Sequence, residues 1–476
     1  MKIVKYLVNG VTAVALACSF AACGDDDEDP DGGEGGNGDD PGWVEPTPGT
    51  DPVLTDEEAK EYLEQTANIV MDKFNPVDQQ PLVELAGDFC KDYAGYGLEG
   101  FEDDDDEEEY YPSQARKGHD SRGLVSFFRH IRQAMASGDY MSVSRAAADV
   151  IRFSDFTGIY EPDAESEMFR LKGMSSDLVV NFRHAGRPCQ MIVSPVGNGT
   201  WSMDLSQLTE GEFAAAEVPD NIRFSLTEAG RDLISGSVES RWNATSLKVV
   251  ADVTIANIRV TANVNGTGSV ITSQEALYVD GNLLQTSEAK VNGTGMVDPQ
   301  RIASLFDVET YRYEYAPGMF YEESYYEFNE NRAADMFRSG EANTVLLGRM
   351  KVATTIADSK KLTGIETYFD SYDYDGDENK AKKDCQFACD SLNTGAPVHL
   401  YLAGASTATA QLKWQPRFKD YGYYNDWYWE PEAIIRFADG SSYSVEDYAT
   451  NGFASLQTRF SSLTGAYIGL WNAAFK

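Results

Sequence analysis

Positive charge is what this sequence lacks most. Lys and Arg together number 39 against 77 Asp and Glu, a formal net charge of −38. Phosphate contacts need clustered cations, so this balance argues against nucleic acid and anionic membrane surfaces as partners, and it disfavours polyanions. Histidine is scarce too: the four residues His119, His130, His184 and His399 are scattered. His119-Asp120-Ser121 are neighbours in sequence, which is no argument for a triad, because triads assemble from distant segments. The six cysteines show no zinc-like CxxC pairing. There is no GxSxG elbow, HExxH, P-loop or GxGxxG opening a helix after a strand. Long apolar runs are missing as well. The longest, Tyr6 to Ala22, is broken by Asn9, Gly10 and Thr12 and is too short to span a bilayer.

What that first stretch does contain is Lys2 and Lys5, an apolar core, and small residues before a cysteine: Phe20-Ala21-Ala22-Cys23. This is the pattern of a secretory signal over residues 1–22. The residues around Cys23 resemble a bacterial lipobox, which implies cleavage before Cys23 and acylation of its thiol. Phe20 stands where that pattern favours Leu. Several acyl chains, at about 0.8 kcal/mol per buried methylene, would anchor the chain firmly to outer-membrane lipid. The run Gly24-Asp25-Asp26-Asp27-Glu28-Asp29 resembles the surface-export signal of Bacteroidota lipoproteins, which implies a location on the cell exterior.

Residues 23–53 are Gly, Asp, Pro and Thr with almost nothing apolar, so they read as a disordered acidic tether. As a flexible coil it would span roughly 30 Å. A helical unit is expected over 54–153. Thr55-Asp56-Glu57-Glu58 is a capping box, and Ala59, Tyr62, Leu63, Thr66, Ile69, Val70 and Phe74 recur at helical spacing up to Asn75-Pro76. Further helices are expected from about Pro81 to Tyr93, around Leu124 to Met135, and over Val143 to Phe153. Asp103 to Glu109 reads as a charged loop.

At Phe156 the period changes from helical to alternating, and 154–297 reads as an antiparallel β domain. Leu178–Phe182, Cys189–Val193 and Ile222–Leu226 are expected strands. From Leu247 to Val264 the apolar phase slips by one near Ala256-Asn257, which requires a bulge or a tight bend. Asn265-Gly266, Asp280-Gly281 and Asn292-Gly293 carry the composition of type I′ hairpin turns. Residues 298–476 read as an α+β domain. It has a short helix at Arg301–Phe306, a Tyr-rich segment, a strand over Val345–Ile356, a helix over Lys380–Leu392, further strands to Tyr443, and a C-terminal helix. That last helix carries Phe453, Leu456, Phe460, Leu463, Tyr467, Leu470 and Trp471 on one stripe, expected to pack on the second sheet. The fold class expected is α+β, a helical unit followed by large antiparallel sheets with a few packed helices.

With Tyr62-Leu63-Glu64-Gln65-Thr66-Ala67, Asp155-Phe156-Thr157-Gly158-Ile159-Tyr160 and Arg436-Phe437-Ala438-Asp439-Gly440-Ser441-Ser442-Tyr443, the lipobox makes the whole resemble a recurrent type of Bacteroidota surface lipoprotein. That resemblance implies location and architecture and carries no activity.

Three places could hold chemistry. Trp414, Tyr424, Trp427 and Trp429 lie among Lys419, Asp420, Asn425 and Asp426. Flat rings beside amides and carboxylates suit glycan stacking, while ordinary cross-strand packing or a protein contact would use the same residues. In an extended strand Trp427 and Trp429 share one face and Tyr428 the other. Asp373, Asp375 and Asp377 in Asp373-Tyr374-Asp375-Gly376-Asp377 suit calcium, yet with Gly376 at loop position six Lys382 falls where an EF-hand needs Glu, and a solvated acidic turn accounts for them equally. No other cofactor is implied. Cys385 and Cys389 share a helix face and read as packing, or as part of a metal site lacking further ligands; a Cys90–Cys189 bridge is left open by the spacing. The 77 acids offer no spacing that locates a carboxylate pair for glycoside hydrolysis. The function expected is therefore a lipid-anchored, non-enzymatic surface module binding glycan or protein. The alternatives are an envelope component sheltering lipid or a partner, and a glycan-processing enzyme.

Overall fold

A computed structural model describes residues 54–93, 96–98, 149–204, 213–316, 319–365, 378–402, 404–420, 427–438, 440–445 and 454–474. They form a mainly β protein of the broad α+β class, dominated by antiparallel sheet with a few helices. By Cα proximity the chain divides into two compact units. The first holds residues 54–74, 283–294 and 330–465, and the second holds 75–282, 295–329 and 466–474.

Helix α1 (Asp56–Asp72) starts as its capping box requires: the Glu58 amide donates to Thr55 Oγ1 at 3.3 Å and the Thr55 amide to Glu58 Oε2 at 2.8 Å. It buries Ala59, Leu63, Thr66, Ala67, Val70 and Met71. Helix α2 (Pro76–Tyr93), in the second unit, begins five residues before the expected start at Pro81. Pro76 suits a helix N-terminus, where no amide partner is needed. Pro81 is carried inside the helix without breaking it.

In the second unit the strands are β1 (Gly97–Leu98), β2 (Asp149–Arg152), β3 (Gly158–Asp163), β4 (Met168–Gly173), β5 (Leu178–His184), β6 (Arg187–Pro195), β7 (Thr200–Asp204), β8 (Phe213–Pro219), β9 (Asn221–Glu228), β10 (Arg231–Asn243), β11 (Ser246–Ile255), β12 (Ile258–Thr267) and β13 (Val270–Val279). Pairing runs β1-β4-β3-β5-β6-β9-β10-β11-β12-β13, parallel at β1/β4 and β3/β5 and antiparallel elsewhere. Strands β2, β8 and β7 form a separate three-stranded sheet. This corrects the expected helix over 143–153. Its residues 149–152 are strand, paired in parallel with β8, so partner-strand pairing overrides the local helical spacing. The expected helix around Leu124–Met135 lies outside the described residues.

The core of this unit collects Leu85, Tyr160, Phe169, Leu178, Val180, Phe182, Cys189 and Leu233. Phe89 of α2 sets its ring 6.2 Å from Phe169 and 5.0 Å from Phe182, so the helix is fastened to the sheet through aromatic contacts.

The phase slip at Ala256-Asn257 is a two-residue hairpin bend between β11 and β12, with Ala256 at φ 53°. Asp280-Gly281 has the two positive φ values, 52° and 74°, of a type I′ turn. Asn265-Gly266 is not a turn. Both residues lie inside β12, and the chain reverses at Gly268-Ser269, where Thr267 Oγ1 accepts from the Ser269 and Val270 amides. Gly266 is needed for close approach instead: a Cβ there would sit 2.9 Å from Val297 and 3.1 Å from Leu247.

The first unit's strands begin with β14 (Asn282–Gly293); Asn292-Gly293 closes it at a register shift against its partner strand and is not a two-residue turn. Strands β15 (Phe306–Ala316) and β16 (Met319–Phe328) form a hairpin of the second unit, preceded by α3 (Pro299–Ala303), which ends before the expected Phe306 because β15 starts there. The first unit continues with α4 (Glu330–Met336), β17 (Phe337–Leu346), β18 (Met350–Ile356), α5 (Glu378–Gly395), β19 (Val398–Leu402), β20 (Ala410–Asp420), β21 (Trp427–Phe437) and β22 (Ser442–Ser444). These strands pair as an antiparallel run β14-β17-β18-β19-β20-β21-β22. Of the single strand expected over Val345–Ile356, residues 350–356 are β18, while Val345 and Leu346 end β17, because Leu347 (φ 54°) and Gly348 (φ 68°) reverse the chain between them.

Helix α6 (Ala454–Ala474) matches the expected C-terminal helix, but of the expected stripe Leu456 is buried, Phe460, Leu463, Tyr467 and Leu470 are partly buried, Trp471 is exposed, and Phe453 lies outside the described residues. In the first unit its Arg459 bonds Asn68 at 2.7 Å and pairs with Asp72, both of α1. The contact seen at this end is therefore helix on helix rather than helix on sheet.

Candidate functional site

The aromatic group does not form an open sugar platform. Trp429 sits on β21 directly beneath α5 and is buried with Ala381, Cys385 and Cys389. Phe418 meets it edge-on at 5.5 Å, and Lys382 Nζ lies 4.7 Å from its ring centroid. Trp414, on β20, packs against Trp429's cluster and against the one formed by Leu362, Ile365, Ala388, Leu392 and Ala396. Its backbone is clamped by Asn393 of α5, which donates to the Trp414 carbonyl at 2.8 Å and accepts from its amide at 2.9 Å. These two rings cover the helix–sheet interface, and a sugar has no access to the face of Trp429. Trp427 begins β21 opposite Asp420; its side chain, and all of Tyr424, lie outside the described residues. So do Asp373, Asp375 and Asp377, as does Cys23. Among the described residues no group of three His, Cys, Asp or Glu side chains could hold a metal ion.

The two cysteines of α5 act as packing. Cys385 and Cys389 share the buried face of α5, both fully enclosed, and Cys389's thiol is pushed well up, first by its hydrogen bond with Cys385 and then by burial. Cys90 is exposed and Cys189 buried, and both are free thiols, so no bridge joins them. His184 is held between carboxylates: its Nδ1 is 2.5 Å from Glu228 Oε1 and its Nε2 3.1 Å from Asp88 Oδ2, with Arg187 3.1 Å from the same Glu228 oxygen. These contacts tie α2 to β5 and β9. They leave no acceptor or donor of the ring for a substrate.

The concave site lies elsewhere, on β10–β13 of the second unit. Antiparallel pairing sets Arg241 opposite Lys248, Lys248 opposite Asn265, and Asn265 opposite Thr272, a single row of polar side chains across four strands. Alternation puts the row on the face opposite Trp242, Leu247, Gly266 and Ile271. At this end of the strands that other face is closed by the segment around Val297: Trp242 Nε1 donates to the Val297 carbonyl at 2.7 Å, and Val297 is 1% exposed. With one side covered, the polar row faces solvent. There, together with Asn243 and Thr267 at the hairpin ends, it lines a cleft of about 650 Å³.

The electrostatics of this trough are local. Arg241 Nε is 3.0 Å from Asp220 Oδ2 and 3.6 Å from Glu239 Oε1, and Lys248 Nζ is 2.9 Å from Glu239 Oε1. The hydrogen bond from Lys248 holds the Glu239 carboxyl below its ordinary value. Glu239 lies two residues from Arg241 on the same face of β10 and accepts from Lys248 Nζ with both oxygens at 2.9 Å, so each cation of the row is already paired with a carboxylate, although neither carboxylate is among the residues lining the cleft. Asn243 is consumed by its own turn, accepting from the Thr245 and Ser246 amides and donating to Ser246 Oγ. Asn265 donates to Asn263 at 2.7 Å and keeps its side-chain oxygen as an acceptor. The arrangement offers donors from two cations, acceptors from amide and hydroxyl oxygens, and no nucleophile or acid–base pair.

Sequence reasoning missed this site. Its residues read as the solvent face of a hairpin, and placing a turn at Asn265-Gly266 moves Asn265 and Thr272 out of register with Lys248. Reflecting the strands about Ala244-Thr245, Ala256-Asn257 and Gly268-Ser269 would have aligned the row. No family model matches the chain, and no curated protein or solved structure is similar to it.

Proposed function

We propose that this chain is a non-enzymatic binding protein of the cell surface, anchored in outer-membrane lipid through acylated Cys23, that takes a saccharide in the trough on β10–β13. The observation that carries this reading is the row Arg241, Lys248, Asn265 and Thr272, which lines an open cleft of about 650 Å³ with donors and acceptors at strand spacing. Neighbouring strands lie about 4.8 Å apart, close to the width of a pyranose ring, so hydroxyls of one or two sugar units meet successive side chains of the row. A cleft of this size matches small-ligand sites in general.

The test is a glycan panel probed with the full chain in detergent, alongside a Lys248→Ala, Asn265→Ala double variant. Binding in the micromolar to millimolar range, weakened about tenfold or more in the double variant while its circular dichroism is unchanged, is the expected outcome. Absence of binding at about 10 mM saccharide overturns the reading.

A second reading has one observation in its favour. On the opposite face of the same strands Val260 is 44% exposed and Ile255 39% exposed, which suits shelter of a lipid or partner. Lipid co-purifying with the chain would favour it over the saccharide.

A further inference from the structure

We propose that the saccharide carries a carboxylate, as a uronic acid does, and that Arg241 receives it. This deepens the reading of the trough as a saccharide site and rests on it. The argument begins with how Arg241 is held. Its Nε edge is engaged by Asp220 at 3.0 Å and lies 3.6 Å from Glu239, which orients the guanidinium plane without using its far end. The terminal nitrogens of Arg241 have no partner among the described residues, and the side chain is 61% exposed at the wall of the cleft. A planar pair of N–H donors in that state matches the two oxygens of a carboxylate, a fit that a sugar hydroxyl cannot fill with both donors.

Asp220 and Glu239 balance the charges of Arg241 and Lys248, so a carboxylate is held here by its hydrogen bonds to Arg241 and not by an excess of positive charge. Lys248 stands directly opposite Arg241 on the neighbouring strand, with its ammonium engaged by both oxygens of Glu239. Glu239 on the same face neutralises Lys248 at 2.9 Å, as Asp220 does Arg241 at 3.0 Å. Over longer distances the net charge of −38 repels anions. Screening over about 8 Å at physiological salt leaves a single carboxylate to the hydrogen bonds of Arg241, while a polyanion reaches into the repulsive field beyond it. Asn265 Oδ1 and the Thr272 hydroxyl, next along the row, then accept from the hydroxyls of the same or the adjoining sugar.

The experiment is calorimetric titration of the full chain in detergent with a disaccharide ending in glucuronic acid and with its carboxyl-reduced counterpart. The acid form should bind about tenfold more tightly than the reduced form, and Arg241→Gln should bring that ratio to about one. Arginine side-chain NMR signals of the unsubstituted protein, shifted by the acid sugar and not by the reduced one, carry the same test if the variant does not fold. Equal binding of the two sugars, or a ratio that survives in Arg241→Gln, overturns the carboxylate assignment and leaves the saccharide reading standing. Failure of both sugars, and of the wider glycan panel, overturns the saccharide reading and this inference with it.

Discussion

At the scale of single residues, Trp429 decides what the aromatic group does. An indole with 9% exposure, covered by Ala381, Cys385 and Cys389, contributes apolar burial rather than a stacking platform. Its Nε1 is buried with no acceptor among the described residues, a cost that the surrounding contacts must offset. Trp429→Ala should therefore lower the stability of the first unit by about 3–5 kcal/mol, read as a drop in the denaturation midpoint. A variant that unfolds at the same denaturant concentration as the parent would show that the indole is not part of the core. That Trp429 stands in an alternating strand was legible in the sequence. Which side α5 covers was not, because α5 lies some 40 residues away and nothing local announces the docking.

At the scale of elements, the hairpins of the second unit show what local pattern can and cannot specify. The slip of phase at Ala256-Asn257 was legible because a continuous strand would have turned its apolar side to water. The turn at Gly268-Ser269 was not: Asn265-Gly266 carries the stronger local signal, and Gly266 is instead occupied in letting Val297 approach. Tertiary packing outweighed turn propensity. The β11–β12 hairpin is also braced by Arg259, whose Nε and one Nη donate to the two oxygens of Asp252 at 2.8 and 2.7 Å. That hydrogen bonding holds the Asp252 carboxyl below its ordinary value. A carboxyl whose value is lower folded than unfolded adds stability that is complete above the unfolded value and is lost as pH falls through the folded one. The brace should thus be intact at neutral pH, begin to weaken near the ordinary carboxylate value of about 4, and be lost only as pH falls through the lower folded value. Both groups are nearly half exposed, so the effect is small. Asp252→Asn should flatten the acid side of the melting-temperature profile, the difference from the parent shrinking as pH falls below the ordinary carboxylate range; an unchanged slope there would rule the brace out.

At the scale of the whole molecule, the chain returns to each compact unit more than once: 283–294 sits with 330–465, while 295–329 sits with 75–282. A boundary drawn along the sequence follows composition, and contacts follow strand pairing. The proposed lipid anchor is tested at this scale. With Cys23 acylated, the full chain should partition into the detergent phase and incorporate labelled palmitate. Cys23→Ser should move it to the aqueous phase with no label; a parent protein that takes up no label would remove the lipid attachment from the proposed function.

The sequence by itself determined the charge of −38, the capped first helix, and the alternating strands with their bend at Ala256-Asn257, because each follows from composition or from neighbours a few residues apart. Tertiary structure alone decided that Trp429 is core, that residues 149–152 are strand, and that Arg241, Lys248, Asn265 and Thr272 stand in one row. Those outcomes depend on which distant segment covers a given face. Alternation says that a strand has two sides; the packing of α5 and of Val297 chooses which of them meets water.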